Sequence, residues 1–207
     1  MPVAEERRSL YRELVLAAAE REFARVGFAE TKVAAIARAA DLSLATVYKT
    51  FPGKGEIWND LHAERMKALL ASVDEQVATH DSPLERLLGG IAAVAEFLMR
   101  HDAYLELSLG ASSGWLATGG ALGVQRTVWG SGLDMIAAGV EAARAAGELA
   151  DVRPRIAAGM IVSALQVWLA DWVDSGRDRD PDLVVAELVS HLKAMLTAPR
   201  TAPARAR

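Results

Sequence analysis

Residues 41–51, DLSLATVYKTF, gather side chains that donate hydrogen bonds into one short stretch of chain. The donors include the hydroxyls of Ser43, Thr46 and Tyr48 and the ammonium group of Lys49. Nucleophilic catalysis would require a hydroxyl and a base held within hydrogen-bond reach of each other, and this segment offers no such pair. The same donors suit phosphate oxygens and the edges of nucleic-acid bases.

A second stretch with possible chemistry is Gly110 to Gly114, GASSG, which matches the G-x-S-x-G pattern of hydrolases with Ser112 as the nucleophile. That pattern works where a strand enters the turn and a helix leaves it. The preceding residues, AYLELSLGA, have a helical rather than a strand-like sequence. Enzymatic activity is therefore the weakest interpretation, and we expect no catalytic residue.

The composition gives no support to metal or disulfide chemistry. The chain contains no cysteine, which fits a reducing cytoplasm. Its histidines, His62, His80, His101 and His191, show neither the i, i+4 pairing nor the neighbouring carboxylates that a metal site needs. We therefore expect no metal ion and no cofactor.

Charge is distributed unevenly along the chain, whose net charge is −4. Residues 1–54 hold nine Lys or Arg and seven Asp or Glu, a net +2, whereas the remainder holds 14 and 20, a net −6. Attraction to phosphate depends on local basic side chains, because charges further away than about 8 Å are largely screened at physiological salt. The N-terminal segment is thus the part suited to nucleic acid.

Hydrophobic residues recur with helical spacing almost throughout, and no stretch alternates as a strand would, so the sequence predicts an all-α protein. Gly27 is placed to end the first helix, while Thr31, Ser43 and Ser82 are placed to cap later ones. The predicted helices cover about residues 9–26, 33–40, 43–50, 54–78, 82–100, 124–146, 155–173 and 181–196.

The first three predicted helices have the plan of a helix-turn-helix, in which a four-residue turn precedes a helix of small or polar outward residues. Val47 and Phe51 should pack inward on Ile36 and Phe23. A helix about 10–12 Å across fits a major groove about 12 Å wide. The residues left facing outward are Leu44, Ala45, Thr46, Tyr48 and Lys49.

Gly27 to Trp58, GFAETKVAAIARAADLSLATVYKTFPGKGEIW, resembles the DNA-binding domain of the TetR family of transcriptional regulators. The matching landmarks are Gly27-Phe28, Thr31, Ile36-Ala37, the turn from Ala40 to Ser43, Thr46, Tyr48, Phe51 and Lys54. Two features depart from the family pattern: Asp41 stands where the turn often has glycine, and Gly53 and Gly55 stand where a serine cap and a helix former are common. The resemblance implies a dimer that binds two operator half-sites and a C-terminal helical domain whose small ligand releases the DNA.

We therefore expect a helix-turn-helix DNA-binding domain at 1–54, a larger helical ligand-binding and dimerisation domain at 55–198 and a disordered tail at 199–207. The expected protein is a cytoplasmic homodimeric repressor that binds double-stranded operator DNA and is released by a small apolar or aromatic effector. No membrane partner is expected, because the most apolar run, residues 156–170, is shorter than the roughly 20 residues of a spanning helix. The alternative is a helical small-molecule-binding or adaptor protein that keeps the fold without the DNA function.

Three sets of site residues follow. The DNA contacts are predicted to come from Thr31, Ser43, Leu44, Ala45, Thr46, Tyr48, Lys49 and Lys54. The effector is predicted to contact Phe97, Tyr104, Trp115, Trp129, Met135 and Trp168, unless these rings simply fill the core and leave no cavity. The dimer interface is predicted at Met160, Ala164, Val167, Leu188 and Leu192.

Overall fold

Helices account for every regular element in the computed structural model, which describes residues 2–110 and 123–197 and the side chains of 5–109 and 131–197. The all-α prediction is confirmed. In chain order the helices are α1 Pro2–Glu30, α2 Val33–Ala39, α3 Leu44–Thr50, α4 Lys54–Val77, α5 Pro83–Arg100, α6 Asp102–Gly110, α7 Gly123–Ala145, α8 Pro154–Asp174 and α9 Pro181–Thr197. The predicted disordered tail lies outside the described residues.

The predicted helix bounds agree with the structure to within a few residues, except at the start of α1 and at α6. Helix α1 begins at Pro2 rather than at Ser9. Its first turns are rich in Ala, Glu and Arg, which favour helix, but they carry no apolar stripe to reveal it. Only His101 separates α6 from the end of α5. Ser112, the candidate nucleophile of the hydrolase pattern, lies outside the described residues.

The backbone of α1 is interrupted at Gly27, where φ is 78° and ψ is 165°. Residues that carry a side chain rarely adopt this backbone conformation, whereas glycine adopts it without steric cost. The predicted end of the first helix therefore coincides with a break, although one more turn follows it before α2.

The helices form two compact units. The N-terminal unit contains α1, α2, α3, α4 up to Ala68, and α6, and the C-terminal unit contains α4 from Leu69, α5, α7, α8 and α9. Helix α4 thus contributes to both units, and α6 belongs to the N-terminal unit although it follows α5 in sequence. The division at residue 54 stays a prediction.

Side chains from α1, α2 and α3 make up the core of the helix-turn-helix. Phe23, Ile36, Val47 and Phe51 are all buried, as the sequence predicts. Helix α6 packs along α1 in the same unit, and its Leu105 is fully buried. Apolar packing therefore stabilises α3, which is too short to be a stable helix by itself.

In the C-terminal unit, the start of α5 receives a carboxylate from a distant part of the chain. Ser82 accepts a hydrogen bond from the backbone N–H of Glu85 at 3.1 Å, which confirms Ser82 as the N-cap. The carboxylate of Glu85 pairs with the ammonium group of Lys193 at 2.7 Å. The carboxylate of Glu148 accepts a hydrogen bond from the backbone N–H of Leu84, also at 2.7 Å. A negative charge at a helix N-terminus is favourable, so Glu148 helps to cap α5.

Helix α8 is apolar on nearly all sides. One face buries Ile161, Leu165 and Trp172 in the C-terminal unit, whereas Met160 and Val167 are exposed. With 21 residues it is longer than the apolar run noted in the sequence, and by length and composition alone it is the one described helix that meets the requirements of a membrane span. The core helix of a soluble protein meets the same requirements, and the buried face of α8 is that of a core helix.

Candidate DNA-binding surface

The turn between α2 and α3 is closed by backbone hydrogen bonds. The N–H of Leu42 donates to the carbonyl of Ala37 at 2.9 Å, and the N–H of Asp41 donates to the carbonyl of Arg38 at 3.2 Å. Asp41 has a φ of 55°, in the left-handed region that aspartate tolerates better than most residues. The turn is therefore formed with aspartate at the position where glycine is common.

Helix α3 is held at both ends by hydroxyl groups. The Ser43 hydroxyl accepts a hydrogen bond from the backbone N–H of Thr46 at 3.0 Å and shares another with the Thr46 hydroxyl at 2.7 Å. At the other end, Thr50 donates to the carbonyl of Thr46 at 3.0 Å. Ser43 is confirmed as the N-cap, and a helix of only two turns gains order that its own length would not provide.

One face of α3 is open to solvent, and it contains the residues that the sequence predicts. Leu44 is 43% exposed and Tyr48 is 50% exposed, while Val47 is fully buried. Ala45 and Lys49 are also exposed, and Thr46 is half-buried. This outward row presents an ammonium group, hydroxyl groups and methyl groups, all of which have partners in the major groove.

Thr31 has a different role from the two that were predicted for it. It is buried, and its hydroxyl donates to the carbonyls of Gly27 at 2.7 Å and Glu22 at 3.2 Å. Lys32, not Thr31, occupies the N-cap position of α2, and its side chain makes no capping bond. The Thr31 hydroxyl therefore binds carbonyls of α1 and does not cap α2.

Lys54 also differs from its prediction as a phosphate contact. Its ammonium group donates to the carbonyls of Phe28 at 2.6 Å, Ala29 at 2.9 Å and Thr31 at 2.9 Å. An ammonium group has three hydrogens to donate, so all of them are used within the chain. The same ammonium lies 4.6 Å from the centre of the Phe28 ring. Lys54 therefore binds the end of α1 to the start of α4.

Behind Lys54, aromatic rings form a continuous series through the N-terminal unit. The ring of Phe28 lies 4.9 Å from Trp58, Trp58 lies 4.2 Å from His62, and His62 lies 5.7 Å from Tyr104 of α6. Phe23 of α1 joins the series at 5.0 Å from Trp58. Tilted and edge contacts of this kind are favourable, so α1, α4 and α6 share one aromatic core.

A buried ion pair accompanies this aromatic core. Glu20 accepts hydrogen bonds from the guanidinium group of Arg65, one of them at 2.9 Å. Burial raises the pKa of Tyr104 to about 12, and the Glu20 charge acts in the same direction. Burial also lowers the pKa of His62, although the hydrogen bond to the Trp58 carbonyl and the Glu20 charge oppose that effect. His62 is therefore neutral at neutral pH, with Nδ1 donating to Trp58 at 2.9 Å.

The predicted effector residues do not all belong to one unit. Tyr104 packs against His62 in the N-terminal unit, whereas Phe97 is buried in α5 of the C-terminal unit. In that unit Trp168 of α8 packs against His191 of α9, with ring centres 5.1 Å apart, and Met135 of α7 is exposed. Trp115 and the side chain of Trp129 lie outside the described residues. Among the residues that are described, no cluster of His, Asp or Glu could hold a metal ion.

The predicted dimer residues are divided between surface and core. Met160 and Val167 are exposed on α8, and Ala164 is half-buried between them. Leu188 and Leu192 of α9 are each only 1% exposed within a single chain, so they are core residues rather than interface residues. Leu183 of α9, which was not predicted to lie at the interface, is 62% exposed, more than Met195 of the same helix at 37%.

Residues 15–61 match the family model of the bacterial regulatory proteins of the tetR family. The N-terminal domain is a TetR-family domain. It has the helix-turn-helix of the DNA-binding domain of these regulators, and α3 lies where that motif has its recognition helix. A search of curated protein sequences found no match.

Solved structures of TetR-family and related regulators share the fold along most of the chain. The fatty acid degradation regulator FadR from Bacillus halodurans has a TM-score of 0.76 at 18% identity, covering 95% of this chain and 97% of its own. FadR from Bacillus subtilis, solved with stearoyl-CoA, has a TM-score of 0.73 at 18% identity, covering 88% and 97%. The ketosteroid transcriptional regulator KstR2 of Mycobacterium tuberculosis has a TM-score of 0.72 at 21% identity, covering 90% and 94%.

The different positions of the two lysines generate a prediction about stability. Lys54→Met should lower the free energy of unfolding by about 2 kcal/mol, because three carbonyls, two of them at partly buried hydrogen bonds, lose a charged donor. Lys49→Met, which removes an exposed charge, should change it by less than about 0.5 kcal/mol. Urea unfolding at one protein concentration measures both. Equal values for the two variants would contradict the assigned role of Lys54.

The lowered pKa of His62 generates a prediction about pH. A histidine whose folded pKa lies below its ordinary value of 6.5 contributes stability that is present above pH 6.5 and is lost as the pH falls through the folded value. The free energy of unfolding should therefore decrease below pH 6.5, with a slope from this group of at most about 1.4 kcal/mol per pH unit. His62→Phe keeps a ring between Trp58 and Tyr104 and should flatten the profile. An unchanged slope in this variant would show that His62 does not titrate on unfolding.

Proposed function

We propose that the protein is a ligand-responsive repressor that binds an operator through α3 and leaves it when a small apolar or aromatic molecule binds the C-terminal unit. The exposed row of Leu44, Ala45, Tyr48 and Lys49 on a firmly capped α3 is the observation that carries the proposal. The match of residues 15–61 to the tetR family supports the same reading.

The proposed release mechanism follows from which helices contribute to which unit. Helix α4 contributes to both units, and α6 contributes Tyr104 to the aromatic core of the N-terminal unit. A ligand that binds one arrangement of the C-terminal helices more tightly than another shifts the equilibrium between them. Its coupling free energy to DNA cannot exceed the difference between its binding free energies for the two arrangements. We propose that α4 and α6 change position with the arrangement of the C-terminal helices and thereby change the position of the recognition helix.

The proposed effector is apolar because the side chains available in the C-terminal unit are apolar. Phe97 and Trp168 supply rings there, and ligand pockets are mostly hydrophobic with a few polar groups that fix orientation. Regulators of similar fold include one solved with stearoyl-CoA and one described as a ketosteroid regulator. These neighbours favour a lipid-like class of effector over a small charged metabolite.

We propose a homodimer that covers the exposed apolar face of α8. Ile156, Met160 and Val167 lie four and then seven residues apart, so they share one face of the helix. Val167 is 61% exposed, and Leu183 of α9 is 62% exposed. Two-fold symmetry would bring the same residues of a second copy against them. The apolar surface of α8 then needs no membrane, in keeping with a protein of the cytoplasm.

An adaptor protein that retains the fold without binding DNA is the second reading of the same chain. It leaves the exposed basic and hydroxyl groups of α3 without a role, and this is why we prefer the DNA-binding reading. The two readings differ in one measurable property, which is specific binding to DNA.

The DNA-binding proposal predicts that the protein recovers a common sequence from fragments of its own genome. Lys49→Met should weaken binding to the recovered duplex about tenfold or more, since a good contact to a base is worth about 1–3 kcal/mol. Gel mobility shifts at fixed salt measure both proteins. Ala142→Gln, at an exposed position of α7 that lies outside both the N-terminal unit and the proposed dimer interface, serves as the control for altered surface. Recovery of no specific sequence by the unaltered protein would favour the adaptor reading.

The dimer proposal predicts that Val167→Glu gives monomers in sedimentation equilibrium and loses tight binding to the recovered duplex. A charge buried without a partner at the interface is strongly unfavourable. Ala142→Glu places the same charge on an exposed position of α7 and should remain dimeric. A stable dimer of Val167→Glu would remove this face of α8 from the interface.

A further inference from the structure

The outward row of α3 begins with two apolar residues at the N-terminus of the helix. Leu44 and Ala45 are the first residues of the helix, and both are exposed. Leu44 is 43% exposed, whereas the neighbouring Leu42 of the turn is half-buried. A leucine that contributes little to the core leaves part of its apolar surface available for another partner.

The composition of α3 limits what this helix can recognise. Its sequence, LATVYKT, contains Lys49 as its one charged residue and contains no Arg, Asn or Gln. Together with Lys, these residue types make the bidentate hydrogen bonds by which guanine and adenine are most often read. Hydrogen-bond readout from α3 therefore depends on Lys49 and on hydroxyl groups.

The hydroxyl groups nearest the start of α3 are already engaged with each other. Ser43 and Thr46 share a hydrogen bond at 2.7 Å, and Ser43 also accepts from the Thr46 backbone at 3.0 Å. The cap therefore uses much of the polar capacity on either side of Leu44 and Ala45. It also fixes the backbone of these two residues, so their side chains are presented in a defined position.

The apolar feature that a base pair presents in the major groove is the C5-methyl group of thymine. The first residues of a recognition helix are those that contact base edges in helix-turn-helix proteins. We infer that Leu44 and Ala45 contact thymine methyl groups, so that each operator half-site carries thymine opposite the start of α3. This inference rests on the proposed DNA-binding function, and it specifies the class of sequence that the protein selects.

The test uses the duplex recovered by genomic selection and removes its methyl groups one at a time. Replacing a thymine with deoxyuridine deletes the methyl group and leaves the hydrogen-bonding edge unchanged. At one or two positions in each half-site the affinity of the unaltered protein should fall about fourfold, the value expected when one buried CH₂-sized group is lost. Substitutions elsewhere in the duplex should have little effect.

Protein variants assign the lost methyl contact to a side chain. Leu44→Ala should bind the thymine duplex more weakly than the unaltered protein and should lose most of its discrimination against deoxyuridine at one position, because the two changes remove the same contact. Lys49→Met should bind more weakly but keep the full fourfold discrimination. This matched pair separates a methyl contact from a change in the flexibility of the DNA.

Each outcome has one meaning. If the unaltered protein recovers no specific DNA, the proposed function fails and the inference fails with it. If specific DNA is recovered but no deoxyuridine substitution lowers affinity, the function stands and the methyl readout is wrong. If Leu44→Ala and Ala45→Gly both retain the full discrimination, the methyl groups are contacted by residues other than the two named here.

Discussion

The anchor formed by Lys54 is the interaction on which the reading surface depends. One ammonium group satisfies the carbonyls of Phe28, Ala29 and Thr31 and lies over the Phe28 ring. Those carbonyls follow the break at Gly27, in the last turn of α1 and in the link to α2, and each accepts a hydrogen bond from a charged donor there. By binding them, Lys54 fixes the segment that leads into α2, and α2 with its turn fixes α3. A residue predicted to touch DNA thus acts from behind the surface that does so.

The core of the N-terminal unit combines apolar packing with a few buried polar groups whose charges must be matched. Burying the Glu20 carboxylate is tolerable because Arg65 pairs with it. His62 stays neutral in the same region, and Tyr104 holds its proton. Since Tyr104 belongs to α6, this core ties α6 to α1 and α4. A change in the position of α6 would disturb the packing that supports the recognition helix.

The sequence predicted most of the fold because periodic apolar residues and caps are local signals. Ser43 and Ser82 were identified as caps, and Asp41 was identified as a turn residue, from a few neighbouring residues each. The outward face of α3 followed from which residues were apolar enough to be buried. The first turns of α1 lack an apolar stripe and give no such signal. The helical sequence of AYLELSLGA indicates α6, but it does not show where this short helix begins and ends.

The predictions that failed concern side chains whose partners are distant in sequence. Lys54 binds carbonyls more than twenty residues earlier, and nothing near it in sequence reveals this. Thr31 was misassigned because a threonine before a helix usually caps it, whereas here the break at Gly27 supplies other acceptors. Leu188 and Leu192 share the helical spacing of interface residues, and only the packing of α9 shows that they are core.

The most direct test of the account is a crosslink between α3 and DNA. Benzoylphenylalanine placed at position 48, where the side chain is half exposed, should crosslink to the selected duplex on irradiation. The same probe placed at position 142 of α7, which is exposed and lies outside the proposed dimer interface, should not. Crosslinks from position 48 that map to the selected half-sites are the predicted result. Crosslinks from position 142 alone, with none from position 48, would contradict the assignment of α3 as the DNA-reading helix.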